Sequence, residues 1–151
     1  MAAVPEIAFE DLTPGTVFDL GTTVIDRDEM IAFARRFDPQ PFHLDEQAAK
    51  ESIFGGLAAS GWFTSSLWMR AYVDRLLHRS TALGSPGGDE LYWPAPVFAG
   101  DELRSTMEVL EARVSRTRPE MGVVRLLATM HRGDTLVMRA RFTGMFGLRG
   151  A

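Results

Sequence analysis

The sequence predicts an α+β fold in which one long helix packs against a curved antiparallel sheet. Three observations predict it. Apolar residues recur at helical spacing in the first half, as Met30, Phe33, Ala34 and Phe37 and again after Gly61. In the second half they follow strand spacing, with Leu136, Met138, Ala140 and Phe142 alternating with Val137, Arg139, Arg141 and Thr143. The helical patterns precede most of the strands, an order that favours segregated layers over alternating βαβ units. A chain of 151 residues fits one domain, 1–151, and is long enough to bury a core.

Each element has a local reason. Pro14-Gly15 reads as a turn, followed by a short strand from about Val17 to Val24. Asp26 followed by Glu29 resembles a capping box and opens the first helix. Pro39 disfavours helix at Asp38, so that helix ends there. Two prolines confine the backbone from Asp38 to Phe42, and Asp45 caps a short helix through about Lys50. The Gly- and Ala-rich run Phe54 to Gly61 leads into the long helix, predicted from Gly61 to Arg79. Its apolar residues Trp62, Leu67, Met69, Val73, Leu76 and Leu77 cover a wide face, as in a helix wrapped by other elements. Ser85-Pro86-Gly87-Gly88 reads as a loop, and strands are predicted over 90–98, 102–113 and 121–132. Pro94 and Pro96 place the first of these at an edge or bulge, and Gly133-Asp134 makes a hairpin turn before the last strand.

Composition excludes several functions. The net charge of −4 gives no global field for nucleic acid. The chain has no cysteine, and so no disulfide, thiolate metal site or thiol nucleophile. His43, His78 and His131 lack metal-like spacing, and no metal is assigned. Met1 to Glu10 lacks the features of a signal peptide, no apolar run has the length of a membrane span, and the cytoplasm is the expected location.

The stretch most informative about chemistry is Asp38-Pro39-Gln40-Pro41-Phe42-His43. An acid and an imidazole five residues apart on a proline-stiffened chain can face one pocket and hold a water between them. Hydration of a conjugated double bond needs such a pair: water loses a proton as its oxygen attacks Cβ, and a proton is delivered to Cα. Burial beside Phe37 and Phe42 is expected to raise the Asp38 pKa. The structural alternative makes Asp38 a helix cap or Asx-turn residue and His43 a packed loop residue. Ser60-Gly61 opens the long helix, where free N–H groups can stabilise an enolate oxygen and a bare glycine leaves room for a ligand. The alternative is an N-capping Ser60 and a Gly61 that allows close packing. Arg113, Arg116 and Arg118 can bind the phosphates of coenzyme A or an acidic carrier protein, or simply protect a sheet edge. Trp68, Trp93 and Met107 read as core.

In this order, Phe33-Ala34, Asp38 to Asp45, Phe54-Gly55-Gly56, Ala58-Ala59-Ser60-Gly61 and Pro96-Val97-Phe98-Ala99-Gly100-Asp101 resemble the MaoC-like dehydratases, which include the (R)-specific enoyl-CoA hydratases. The resemblance runs from about Glu6 to Phe146. It implies a hotdog fold, dimers, and acyl-thioester tunnels near the subunit interface. It also implies Asp38 and His43 as the catalytic dyad and Gly61 N–H as oxyanion donor, with Ser60 and Gln40 beside the substrate. The only cofactor implied is the coenzyme A or acyl carrier of the substrate itself. Two positions depart from the common pattern: Gln40 stands where Asn is usual, and Ser60 where His precedes the helix glycine. Alternatives to the hydratase are a hotdog thioesterase and a non-catalytic thioester-binding partner subunit.

Overall fold

The computed structural model describes residues 3–151; Met1 and Ala2, at the head of the Met1–Glu10 segment, lie outside the described residues. Five strands form one antiparallel sheet: β1 (Val17–Val24), β2 (Ala82–Tyr92), β3 (Glu102–Val114), β4 (Met121–Arg132) and β5 (Thr135–Gly147). Their spatial order is β1-β3-β4-β5-β2. The helices are α1 (Arg27–Phe37), α2 (Pro41–Leu44), α3 (Glu46–Lys50) and α4 (Gly61–Arg75). Helix α4 packs on β1, β3, β4 and β5, so it is the helix the sheet wraps. Among the described residues no helix is long and apolar enough to cross a membrane.

Local signals set most boundaries. Asp26 caps α1 by accepting from Glu29 N–H at 2.9 Å, and Asp45 caps α3 by accepting from Ala48 N–H at 2.8 Å. Helix α1 ends at Phe37, one residue before the pre-proline Asp38. Strand β4 alternates strictly, with Gly122, Val124, Leu126, Ala128 and Met130 facing inward. On α4 the inward line is Phe63, Thr64, Trp68 and Tyr72, at i, i+1, i+5 and i+9. Trp68 stacks on Tyr72 with centroids 4.8 Å apart, and both meet Phe142 edge-on. Burial pushes the Tyr72 phenol pKa up. Trp68 and Met107 are core, as expected.

Three expectations are corrected and one element is added. The long helix stops at Arg75 and continues only as a 3-10 turn, Leu77–Arg79. Its wide apolar face is not uniformly covered: Trp62 is 57% and Met69 46% exposed, because the sheet takes only one side of α4. The Ser85–Gly88 loop and the 90–98 strand are replaced by β2 at 82–92. Pairing with β5 decides this, since β2 is an edge strand on which Pro86 needs no partner, and glycine-rich bulges absorb its register shifts. Pro94 and Pro96 then lie beyond its end. Finally, the proline-confined stretch contains a helical turn, α2, with Pro41 at its first position, where the missing N–H costs nothing.

Ser105 points into the core from β3 with its hydroxyl buried and without a hydrogen-bond partner among the described residues. An unpaired buried hydroxyl costs about 1–3 kcal/mol. Ser105→Ala is therefore expected to raise the unfolding free energy by about 1 kcal/mol in urea titrations. A comparable loss would show that the hydroxyl is satisfied.

Candidate active site

Asp38 closes α1, with its N–H donating to Ala34 O at 2.8 Å. Gln40 and Pro41 then start α2, whose single turn carries Phe42 and His43. His43 is buried, and its Nδ1 lies 2.7 Å from Ala58 O. A carbonyl only accepts, so Nδ1 carries the proton. Nε2 is left as the atom that exchanges one, and it lies 3.3 Å from Asp38 Oδ2.

Polar groups converge on the Asp38 carboxylate. The Ser60 hydroxyl donates to Oδ2 at 2.7 Å and the Gln40 amide donates to Oδ1 at 2.6 Å. Burial acts to raise the Asp38 pKa, but the hydrogen bonds from Ser60 and Gln40, with the nearby His43, outweigh it and hold the carboxyl below its ordinary value. The expected upward shift is thus reversed, because proximity to Phe37 and Phe42 does not deprive the carboxylate of donors. Ser60 does not cap α4 with its side chain. Its hydroxyl serves Asp38 instead.

The pair lines a cleft of about 370 Å³. Gly61, Ala59 and Thr64 border it at the start of α4, Phe42 and Phe54 on one side, Trp62 and Trp93 on another, and Ala95, Val97 and Val137 further round. As the first residue of α4, Gly61 has an N–H without an intrahelical acceptor. The space over its Cα is filled, however. A Cβ at Gly61 would lie 2.3 Å from Trp93 Cδ2, so close packing requires this glycine. Trp93, expected in the core, is instead 39% exposed in the cleft wall. The prolines following it lie just beyond the end of β2 but do not signal its contact with Gly61. Gln40 and Gly61 therefore line one cleft with Asp38 and His43, while Ser60 is fully buried, outside the lining, and acts there only through Asp38. Arg116 and Arg118 do not. They sit in the β3–β4 turn, where Arg118 pairs with Glu120, and Arg113, one residue before the end of β3, is not in the cleft lining.

The cleft is braced from behind. Ala58 forms a β-bridge with Phe98, and Ala59 N–H donates to Val97 O at 2.8 Å. Arg132 donates to Pro96 O at 2.8 Å and to Asp101 Oδ2 at 2.7 Å, and that same oxygen accepts from Phe98 N–H.

A family model described as the MaoC like domain matches residues 10–132, most of the chain and all of the residues that converge on Asp38. The chain belongs to the MaoC-like family. A MaoC-like dehydratase from Rhodospirillum rubrum is 38% identical and superposes with a TM-score of 0.90 over 96% of this chain and 99% of that one. The Bacillus subtilis protein YdeM, itself without an assigned function, is 27% identical over 122 residues, 81% of this chain and 85% of the relative. An R-hydratase from Pseudomonas aeruginosa shares the fold, with a TM-score of 0.73 and 24% identity over 96% of this chain and 88% of that one. The chain adopts the hotdog fold, a sheet wrapped on one helix, and superposes with a TM-score of 0.77 on a Mycobacterium tuberculosis protein described as a double hotdog fold.

The lowered Asp38 pKa has a stability consequence with a definite sign. A carboxyl whose folded pKa is depressed stabilises the fold above its unfolded value, about 3.9, and loses that contribution as pH falls through the folded pKa. Asp38→Asn is expected to cost about 1 kcal/mol or more at pH 7 and less at pH 3, measured by denaturant unfolding. An equal cost at both pH values would show that the charge of Asp38 is not stabilised in the fold.

Proposed function

We propose that the protein adds water across the double bond of a trans-2-enoyl thioester, or removes it from the 3-hydroxyacyl thioester. The observation that carries this reading is the 3.3 Å approach of His43 Nε2 to Asp38 Oδ2 in the wall of a cleft that Gly61, the first residue of α4, also lines. The R-hydratase name of a relative with the same fold agrees with it.

In this reading the thioester oxygen accepts from Gly61 N–H and Cβ faces the pair. Water is held by Asp38 and His43 together, beside their 3.3 Å contact. Asp38, its basicity reduced by donors at both oxygens, orients the water as an acceptor rather than deprotonating it. His43 Nε2 takes the proton as the water oxygen bonds to Cβ. The π electrons shift to give an enolate, whose oxygen the α4 N-terminus stabilises. The imidazolium returns the proton to Cα. One water is consumed, with hydroxyl on Cβ and hydrogen on Cα, and the product is expected in the R form. Coenzyme A or an acyl carrier enters only as part of the substrate.

Asp38→Asn and His43→Ala are each expected to lower turnover about a hundredfold or more while remaining folded. The product distinguishes the chemistry. Chromatography should find 3-hydroxyacyl thioester, and a thiol reagent should find no free thiol. Thiol released at the rate of substrate loss would establish a thioesterase. Binding without either product would establish a non-catalytic thioester-binding subunit.

The assembly is read as a homodimer joined through β2 into a continuous sheet. Among the described residues that edge strand pairs only with β5, and Leu83 and Tyr92 are exposed along it. Light scattering is expected to give about twice the 16.7 kDa chain mass. A monomer at micromolar concentration would refute the dimer.

A further inference from the structure

We infer that Trp93 is the residue that fixes the size of the acyl group, confining the cleft to short chains; this rests on the enoyl-thioester reading above. The indole is held on three sides. Its ring lies on the bare Cα of Gly61, so closely that a Cβ there would approach Cδ2 to 2.3 Å. Trp62 meets it edge-on, with centroids 5.1 Å apart and planes at 77°. Its Nε1–H donates to Ser65 Oγ at 3.0 Å. In this inference the thioester oxygen is seated at Gly61, with its acyl carbons toward this fixed indole.

The rest of the cleft is equally unyielding. Phe42 and Phe54 pack together with centroids 5.4 Å apart. The inner residues Thr64, Val97 and Val137 are β-branched and stiff at χ1. Among the described residues no Met, Leu or Ile lines the cleft to adapt its shape, and the long side chain of Gln40 is tied to Asp38. Ala59 and Ala95 are already small. Of the two tryptophans in the lining, Trp93 is the one pressed onto Gly61, and its 39% exposure allows replacement without hollowing the core.

The test compares crotonyl-CoA with trans-2-octenoyl-CoA by kcat/KM, and butyryl-CoA with octanoyl-CoA by calorimetric binding, which needs no turnover. The wild type should favour the short member of each pair by about tenfold or more. Trp93→Leu should shrink that preference by about tenfold, chiefly through better use of the long chain. Ser65→Ala, which frees the indole but leaves the lining unchanged, should shrink it partly, and Ser65→Thr, which keeps an acceptor, should retain it. Equal use of both lengths by the wild type, or an unchanged ratio in a folded Trp93→Leu, overturns the inference. Trp93-dependent discrimination in binding without hydration of any enoyl thioester supports the size wall and removes the hydratase reading. Hydration without discrimination does the reverse.

Discussion

The hydrogen bond from His43 Nδ1–H to Ala58 O, at 2.7 Å, is the contact on which the rest of the site depends. It fixes the tautomer and so decides which ring nitrogen faces Asp38. It also ties the single turn of α2 to the chain that leads into α4. Without it the imidazole would be a buried polar group lacking a partner at Nδ1, which is costly. Ala58 is itself immobilised by its bridge to Phe98 and the adjacent Ala59–Val97 bond. Arg132 and Asp101 in turn clamp the Pro96–Asp101 segment. The geometry of one ring therefore rests on backbone pairing and on an ion pair whose members lie 58 and 89 residues away in sequence.

The polar groups around Asp38 follow from the same constraint. Asp38 sits where α1 ends, Ser60 where α4 begins, and Gln40 at the N-cap of α2. Such termini are where side chains escape the helical ladder. Ser60 illustrates the competition, since a serine before a helix ordinarily accepts from the free N–H groups. Here it donates to Asp38, and the first N–H groups of α4 receive no side-chain cap. The uncapped terminus keeps its positive end for something else, and the donated hydrogen bond keeps the carboxylate charged.

Local signals were legible in the sequence where they acted alone. The Asp26 and Asp45 caps, the stop before Pro39 and the alternation of β4 need no tertiary partner to be read. The Asp38–His43 pairing was also readable, because the two residues lie on a short chain with few conformations. What was not legible depended on partners distant in sequence. Strand β2 contains Ser85, Pro86, Gly87 and Gly88, whose local preference is a turn, and only β5 holds it extended. The direction of the Asp38 pKa depended on Ser60, twenty-two residues away. Trp93 looked like core because a large aromatic ordinarily is, and nothing nearby in sequence reveals that Gly61 forms its seat.

Gly61 brings two demands into one position. An N–H offered to a ligand needs an open approach, and a rigid wall needs the indole pressed against the helix. A side chain at residue 61 would displace Trp93 by occupying its seat, whatever its effect on a ligand. The free N–H and the bare Cα are different faces of the same residue. A glycine at the first position of α4 can therefore present its N–H to the cleft while its Cα carries the wall. This is why the packing explanation and the ligand explanation for Gly61 do not compete: the close contact with Trp93 is what shapes the space in which that N–H can meet an oxygen.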